Sequence, residues 1–131
     1  MRFQFSSKSG HPLDSLPRVS LQLMSGIHQV AAEGILDSAA TVSILPFEVG
    51  ESLGLTWDDQ RARIPLAGNL QRTKAMPVEV MAGIEGLPQV QLTFAWVRTQ
   101  DVPLLLGHYD FFMQFEICFD RAGETFEIKQ K

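Results

Sequence analysis

The sequence predicts a single, mostly β domain with one or two short helices, and three observations carry that prediction. At 131 residues the chain is long enough for one core and too short for two ordinary domains. Val19, Leu21 and Leu23 alternate with Ser20 and Gln22, and Val90, Leu92, Phe94 and Trp96 alternate with Gln89, Gln91, Thr93 and Ala95. A period of two is the mark of half-buried strands. Near the C-terminus, Ile117, Phe119, Phe126 and Ile128 flank Asp120-Arg121-Ala122-Gly123, which reads as a hairpin.

Taken in order, residues 1–16 form an N-terminal arm, rich in Ser, Gly and Pro from Phe5 onward, and residues 17–131 form the domain. A strand from Val19 reaches a turn at Ser25-Gly26, and Ile27 to Leu36 continues as a strand that becomes more apolar until it meets Asp37. An acid at the end of a buried strand requires a reason. Thr41 to Leu45, β-branched and apolar, suggests a short strand beyond a tight loop. Pro46 suits the first position of a helix, Glu48 its positive end and Gly54 its stop, while Leu45 is a poor cap. Pro46, Val49 and Leu53 share the face that packs on the sheet. The polar stretch from Trp57 to Lys74 has Gly68-Asn69 as a turn signal between Ile64, Leu66 and Leu70, and is expected to be a mobile hairpin; Asp58 and Asp59 belong to a solvated loop. Val78 and Val80 open another strand. Leu104-Leu105-Leu106-Gly107 reads as a buried strand closing on glycine, after which Phe111, Phe112 and Phe115 fall on one side of a short helix.

Composition excludes several classes. Hydrophobic residues make up 45% and charged residues 20%, which is ordinary for a folded globular protein. A net charge of -4, with Lys and Arg scattered, disfavours nucleic acid. No run is long enough to span a bilayer, and residues 1–10 have no apolar signal segment, so no membrane is expected and the location is taken as cytoplasmic. The lone Cys118 has no disulfide partner within the chain and is expected to pack as a small apolar residue. His11, His28 and His108 lie far apart and match no ligand spacing, so neither metal nor other cofactor is expected. His108 and Asp110 read as surface groups, and Asp120 as a turn starter.

Asp37 by itself is a candidate turn aspartate, satisfied by nearby amides. Its context argues for more. Gly34-Ile35-Leu36-Asp37-Ser38-Ala39-Ala40-Thr41-Val42-Ser43-Ile44-Leu45-Pro46 is followed, after a long interval, by Leu105-Leu106-Gly107-His108-Tyr109-Asp110-Phe111-Phe112 and by Phe115-Glu116-Ile117-Cys118-Phe119-Asp120. In this order and separation, over Arg18 to Ile128, the chain resembles the retropepsin-like (retroviral-type) aspartic proteases, as a bacterial-type single-domain member. The first segment is similar to the family's Asp-Thr/Ser-Gly loop and the second to its hydrophobic-hydrophobic-Gly element. The resemblance implies an acid-protease barrel with one lobe per chain.

It also implies a homodimeric endopeptidase in which Asp37 from each chain activates water. Peptide hydrolysis without a covalent intermediate needs one carboxylate to accept a proton and another to donate one. Two carboxyl groups about 3 Å apart share a single proton and supply both roles. On the same resemblance, Ser38, Ala39 and Ala40 form the active-site loop, with the Ser38 hydroxyl helping to hold two loops together; Leu66, Ala67, Gly68 and Asn69 form a flap; and Leu105, Leu106 and Gly107 support the site. The implied partner is a peptide or protein with hydrophobic residues around the cleaved bond. Ala39 departs from the family, which has glycine there. Were its φ positive, alanine would cost roughly 1 kcal/mol or more. The alternative is therefore a catalytically silent peptide-binding or dimerisation domain with the same fold.

Overall fold

The alternating apolar positions become strands that close on themselves. The computed structural model describes residues 1–131. Strands β2 (Arg18–Ser25), β3 (His28–Leu36), β4 (Ile44–Leu45), β5 (Ala75–Gly83), β6 (Val90–Val97) and β7 (Leu104–Leu106) form a closed barrel in the order β2-β3-β7-β4-β6-β5. β1 (Arg2–Gln4), β9 (Thr125–Gln130) and β8 (Phe115–Asp120) form a second, three-stranded sheet in the order β1-β9-β8. Two short helices, α1 (Phe47–Ser52) and α2 (Phe111–Gln114), complete the expected mostly β architecture. No helix is long and apolar enough to cross a membrane.

The β2–β3 hairpin turns at Gly26-Ile27, where Gly26 takes φ +58°, a conformation that glycine adopts without a Cβ penalty. β3 then runs parallel to β7, pairing Gly34 with Leu104 and Leu36 with Leu106. β4 lies between β7 and β6, so the chain leaving Asp37 passes beside the chain leaving Leu106. The inward positions of the barrel are apolar: Leu23, Leu92, Trp96 and Leu106 are fully buried, each contributing roughly 1.5–3 kcal/mol. Trp96 explains the seat of α1. Its ring stacks on Phe47 at 5.3 Å, and a Cβ on Gly50 would lie 2.2 Å from the indole nitrogen, so only glycine lets the helix come so close.

Five expectations are amended. Pro46 is the cap of α1, one position earlier than the sequence suggested, and the Glu48 N–H donates to the Gln100 side chain at 2.6 Å. The strand expected over Thr41 to Leu45 is confined to Ile44 and Leu45. The Trp57 to Lys74 segment is no hairpin: it has two 3-10 turns, Asp59–Arg61 and Gly68–Leu70, because Ile64, Leu66 and Leu70 pack inward on a small cluster around Ile44, Ala75, Ala95 and Val97. Cys118 is exposed on β8, since the inward positions of that strand belong to Phe115 and Ile117. Within the arm, Arg2 to Gln4 pair with Thr125 to Glu127, so this part is a sheet strand.

Candidate active site

The site is built where two non-neighbouring segments cross. β3 delivers Asp37, whose N–H donates to the Leu106 carbonyl at 3.0 Å. Beyond it, the His108 N–H donates to the Ala40 carbonyl and the Tyr109 N–H to the Thr41 carbonyl, both at 2.9 Å. Ser43, fully buried, accepts from the Gly107 N–H at 3.0 Å through its Oγ. A Cβ at Gly107 would stand 2.6 Å from the Val42 carbonyl oxygen and 2.7 Å from that of Ala40. Glycine at 107 is thus the condition for the crossing.

The loop itself is short and internally bonded. Asp37 is half-buried, and its Oδ1 accepts from the Ala39 N–H at 2.9 Å, while its carbonyl accepts from the Ala40 N–H at 3.1 Å. Asp37 does serve a turn, as expected of an isolated loop aspartate, but this occupies one carboxylate oxygen. The other oxygen accepts nothing within the chain, and no cation pairs with the group. Ala39 avoids the left-handed region, in which Glu124, at φ 54°, is the only non-glycine residue. The left-handed penalty therefore does not arise, and the amide of Ala39 is free to serve the carboxylate.

A cavity of about 200 Å³ opens beside this carboxylate. Ala39, Ala40, Val42, Ile44 and Leu105 form its floor, and Leu66, Ala67 and Leu70 approach from the Trp57 to Lys74 segment. Apart from Asp37 and Thr41 the lining is apolar, so the pocket suits an aliphatic or aromatic side chain with the acid at its edge. The structure thus brings together Asp37, Ala39, Ala40, Leu66, Ala67 and Leu105. Gly68 and Asn69 are exposed outside the lining, where Leu70 takes their place. Ser38 is exposed, and its hydroxyl has no partner within the chain. A larger cavity of about 580 Å³, bounded by Arg61, Glu79, Thr93 and Tyr109, contains neither Asp37 nor its loop.

Three residues had roles the sequence did not reveal. His108, exposed as expected, places Nε2 2.6 Å from the Ser38 carbonyl and so donates to the loop that follows Asp37. Asp110 is no free surface group: its carboxylate accepts from the Thr93 N–H at 3.0 Å and from Gln114 at 3.3 Å. Ser43 had one signal, a hydroxyl inside an otherwise apolar β-branched run. The other two had none, because Ser38 and the Thr93 amide, which give them their roles, are distant in sequence.

Comparison with known proteins bears on the fold. No family model and no curated protein matches the chain. Among solved structures, it is similar to a retropepsin-like aspartic protease from Rickettsia conorii, with a TM-score of 0.65 and 15% identity over 98% of this chain and 89% of the other. It is also similar to the retroviral protease-like domain of Ddi1 from Leishmania major, with a TM-score of 0.63 and 20% identity over 86% of this chain and 87% of that one. The fold is retropepsin-like.

Proposed function

We propose that this retropepsin-like chain is an aspartic endopeptidase that acts as a homodimer, with Asp37 of each chain flanking the water that attacks a peptide bond. The observation that carries the reading is the Asp37 carboxylate, held by one oxygen and free at the other, at the edge of an apolar cavity. One oxygen is fixed by the Ala39 amide, which orients the group; the other is unbonded within the chain, and a water and a second carboxylate could meet it. A pair at about 3 Å shares one proton, so one member takes a proton from water as the other gives one to the substrate carbonyl. The free Ser38 hydroxyl suits a bond between the two loops, and the segment holding Leu66, Ala67 and Leu70 suits a cover over extended, hydrophobic peptides. The exposed thiol of Cys118 suits a reducing compartment such as the cytoplasm.

The test is cleavage of a set of hydrophobic peptides across acidic to neutral pH. The rate should follow a bell on the acidic side, falling when the pair is fully ionised and again when it is fully protonated. Asp37→Asn should abolish turnover, while chelators leave it unchanged. Turnover surviving in Asp37→Asn would assign the chemistry elsewhere. A chain that binds peptides at the same cavity without cutting them would be the silent binding domain.

A further inference from the structure

We propose that the groove leading away from Asp37 selects peptides that carry an acidic residue beyond their apolar ones, with Arg61 as the group that reads the acid. The inference rests on the peptide-cleaving reading and names a substrate class for it. Three cavities stand in series. The one beside Asp37, of about 200 Å³, shares Val42 with a second of about 250 Å³, and the second shares Pro77, Thr93 and Tyr109 with the third, of about 580 Å³. One side of all three belongs to a single stretch of chain: Leu66 and Ala67 beside Asp37, Ile64 in the middle and Arg61 at the far end. The other side is Val42 and then Tyr109, which a β-bridge holds together. An extended peptide laid along this groove from the carboxylate therefore crosses an apolar floor, Ile44 and then Ala95, before it meets the guanidinium.

The wall that carries Arg61 is basic on an acidic protein. Gln60 to Lys74 holds four of the chain's eleven basic residues, Arg61, Arg63, Arg72 and Lys74, and none of its fifteen acidic ones, while the net charge of the whole is -4. Of the four, only Lys74 has a carboxylate partner, Asp59 at 3.5 Å. The Arg61 guanidinium donates to the Pro77 carbonyl at 3.1 Å and that of Arg63 to the Gln60 carbonyl at 2.9 Å. A backbone carbonyl fixes the direction of each group and leaves its charge uncompensated. The remaining N–H donors of a guanidinium form a planar fork that matches a carboxylate.

Glu79 lines the same far cavity and opposes an incoming acid. Its Oε2 accepts from the Gln91 amide at 3.0 Å, and no ion pair joins it to Arg61, so it does not cancel the guanidinium. One carboxylate stands against the summed field of Arg61, Arg63 and Arg72, which favours an anion at the groove's end. Glu79 thus weakens the preference without reversing it.

Fluorescence anisotropy of labelled peptides on the full chain tests the groove, with Asp37→Asn in place so that binding is read apart from cleavage. The peptides share one hydrophobic centre and carry either Glu or Gln at successive positions outward from it. At low salt the best Glu peptide should bind about tenfold more tightly than its Gln twin, and the gap should shrink as salt is raised. Arg61→Gln should reduce the gap to about twofold or less, and Glu79→Gln should widen it. Losing the contact from Arg61 to Pro77 would, if it only loosened the segment, weaken both twins alike, so their ratio reports recognition of the acid. Equal binding of every Glu and Gln pair would overturn the inference, as would a gap that survives Arg61→Gln, and either result leaves the Asp37 reading to its own cleavage assay. Binding of none of the peptides would also overturn it. A preference for Glu that depends on Arg61, in a protein whose native form cuts nothing, would support the groove and assign the chain as the silent binding domain.

Discussion

Ala39 donates its amide to Asp37 Oδ1 from a backbone outside the left-handed region. The bond is an Asx turn, closed by any residue that has an N–H, so the side chain at 39 is not what shapes the loop. Ala39→Gly should leave peptide turnover within about twofold, under 0.5 kcal/mol of barrier. It should lower stability by about 0.4–1 kcal/mol through the freer unfolded chain, measurable by denaturant titration. A tenfold gain in turnover would show instead that the methyl obstructs the attacking water. At this scale, Asp37 was legible because an acid ending an apolar strand contradicts burial. Ser43 and His108 were not, because a hydroxyl and an imidazole gain their meaning from Gly107 and Ser38, residues 64 and 70 positions away along the chain.

Between strands β4 and β5, the segment over the cavity is anchored by side chains and not by a ladder. Asp59 accepts from the Trp57 indole at 2.8 Å and pairs with Lys74 at 3.5 Å. These partners hold its carboxyl below the ordinary value of 3.8, the indole bond first and the lysine charge next. A lowered value in the folded state means that the anchor is complete above the ordinary value and is lost as pH falls through the folded one. Trp57 fluorescence should therefore change below pH 3.8, with a transition absent in Asp59→Asn. An unchanged titration in that variant would place the anchor elsewhere. The turn at Gly68 was readable from composition, and Gly68 does take φ +64°. The hairpin was not there to be read: spacing alone cannot tell a residue that alternates across a ladder from one, such as Leu66 or Leu70, that packs sideways on Ile44 and Val97.

For the whole molecule, the proposed function, in which each chain supplies one catalytic carboxylate, would make activity a property of two chains. Turnover per chain should fall on dilution below the dimer's dissociation constant and recover on concentration, as mass action requires. Turnover per chain that stays constant through dissociation would show that one copy suffices. The strands were largely legible from their period of two. Closure of the barrel was not, because the parallel pairs β3–β7 and β4–β6 join segments with no local signal of each other. That same threading has a kinetic consequence. The bond from Asp37 to Leu106, and the Gly107 crossing beneath it, can form only after a loop of some 70 residues has closed, and contacts of long sequence separation arise late in folding. While it is being made, then, the polypeptide carries Asp37 on an unshaped turn: a nascent chain has the acid long before it has the loop geometry that could turn that acid upon its neighbours.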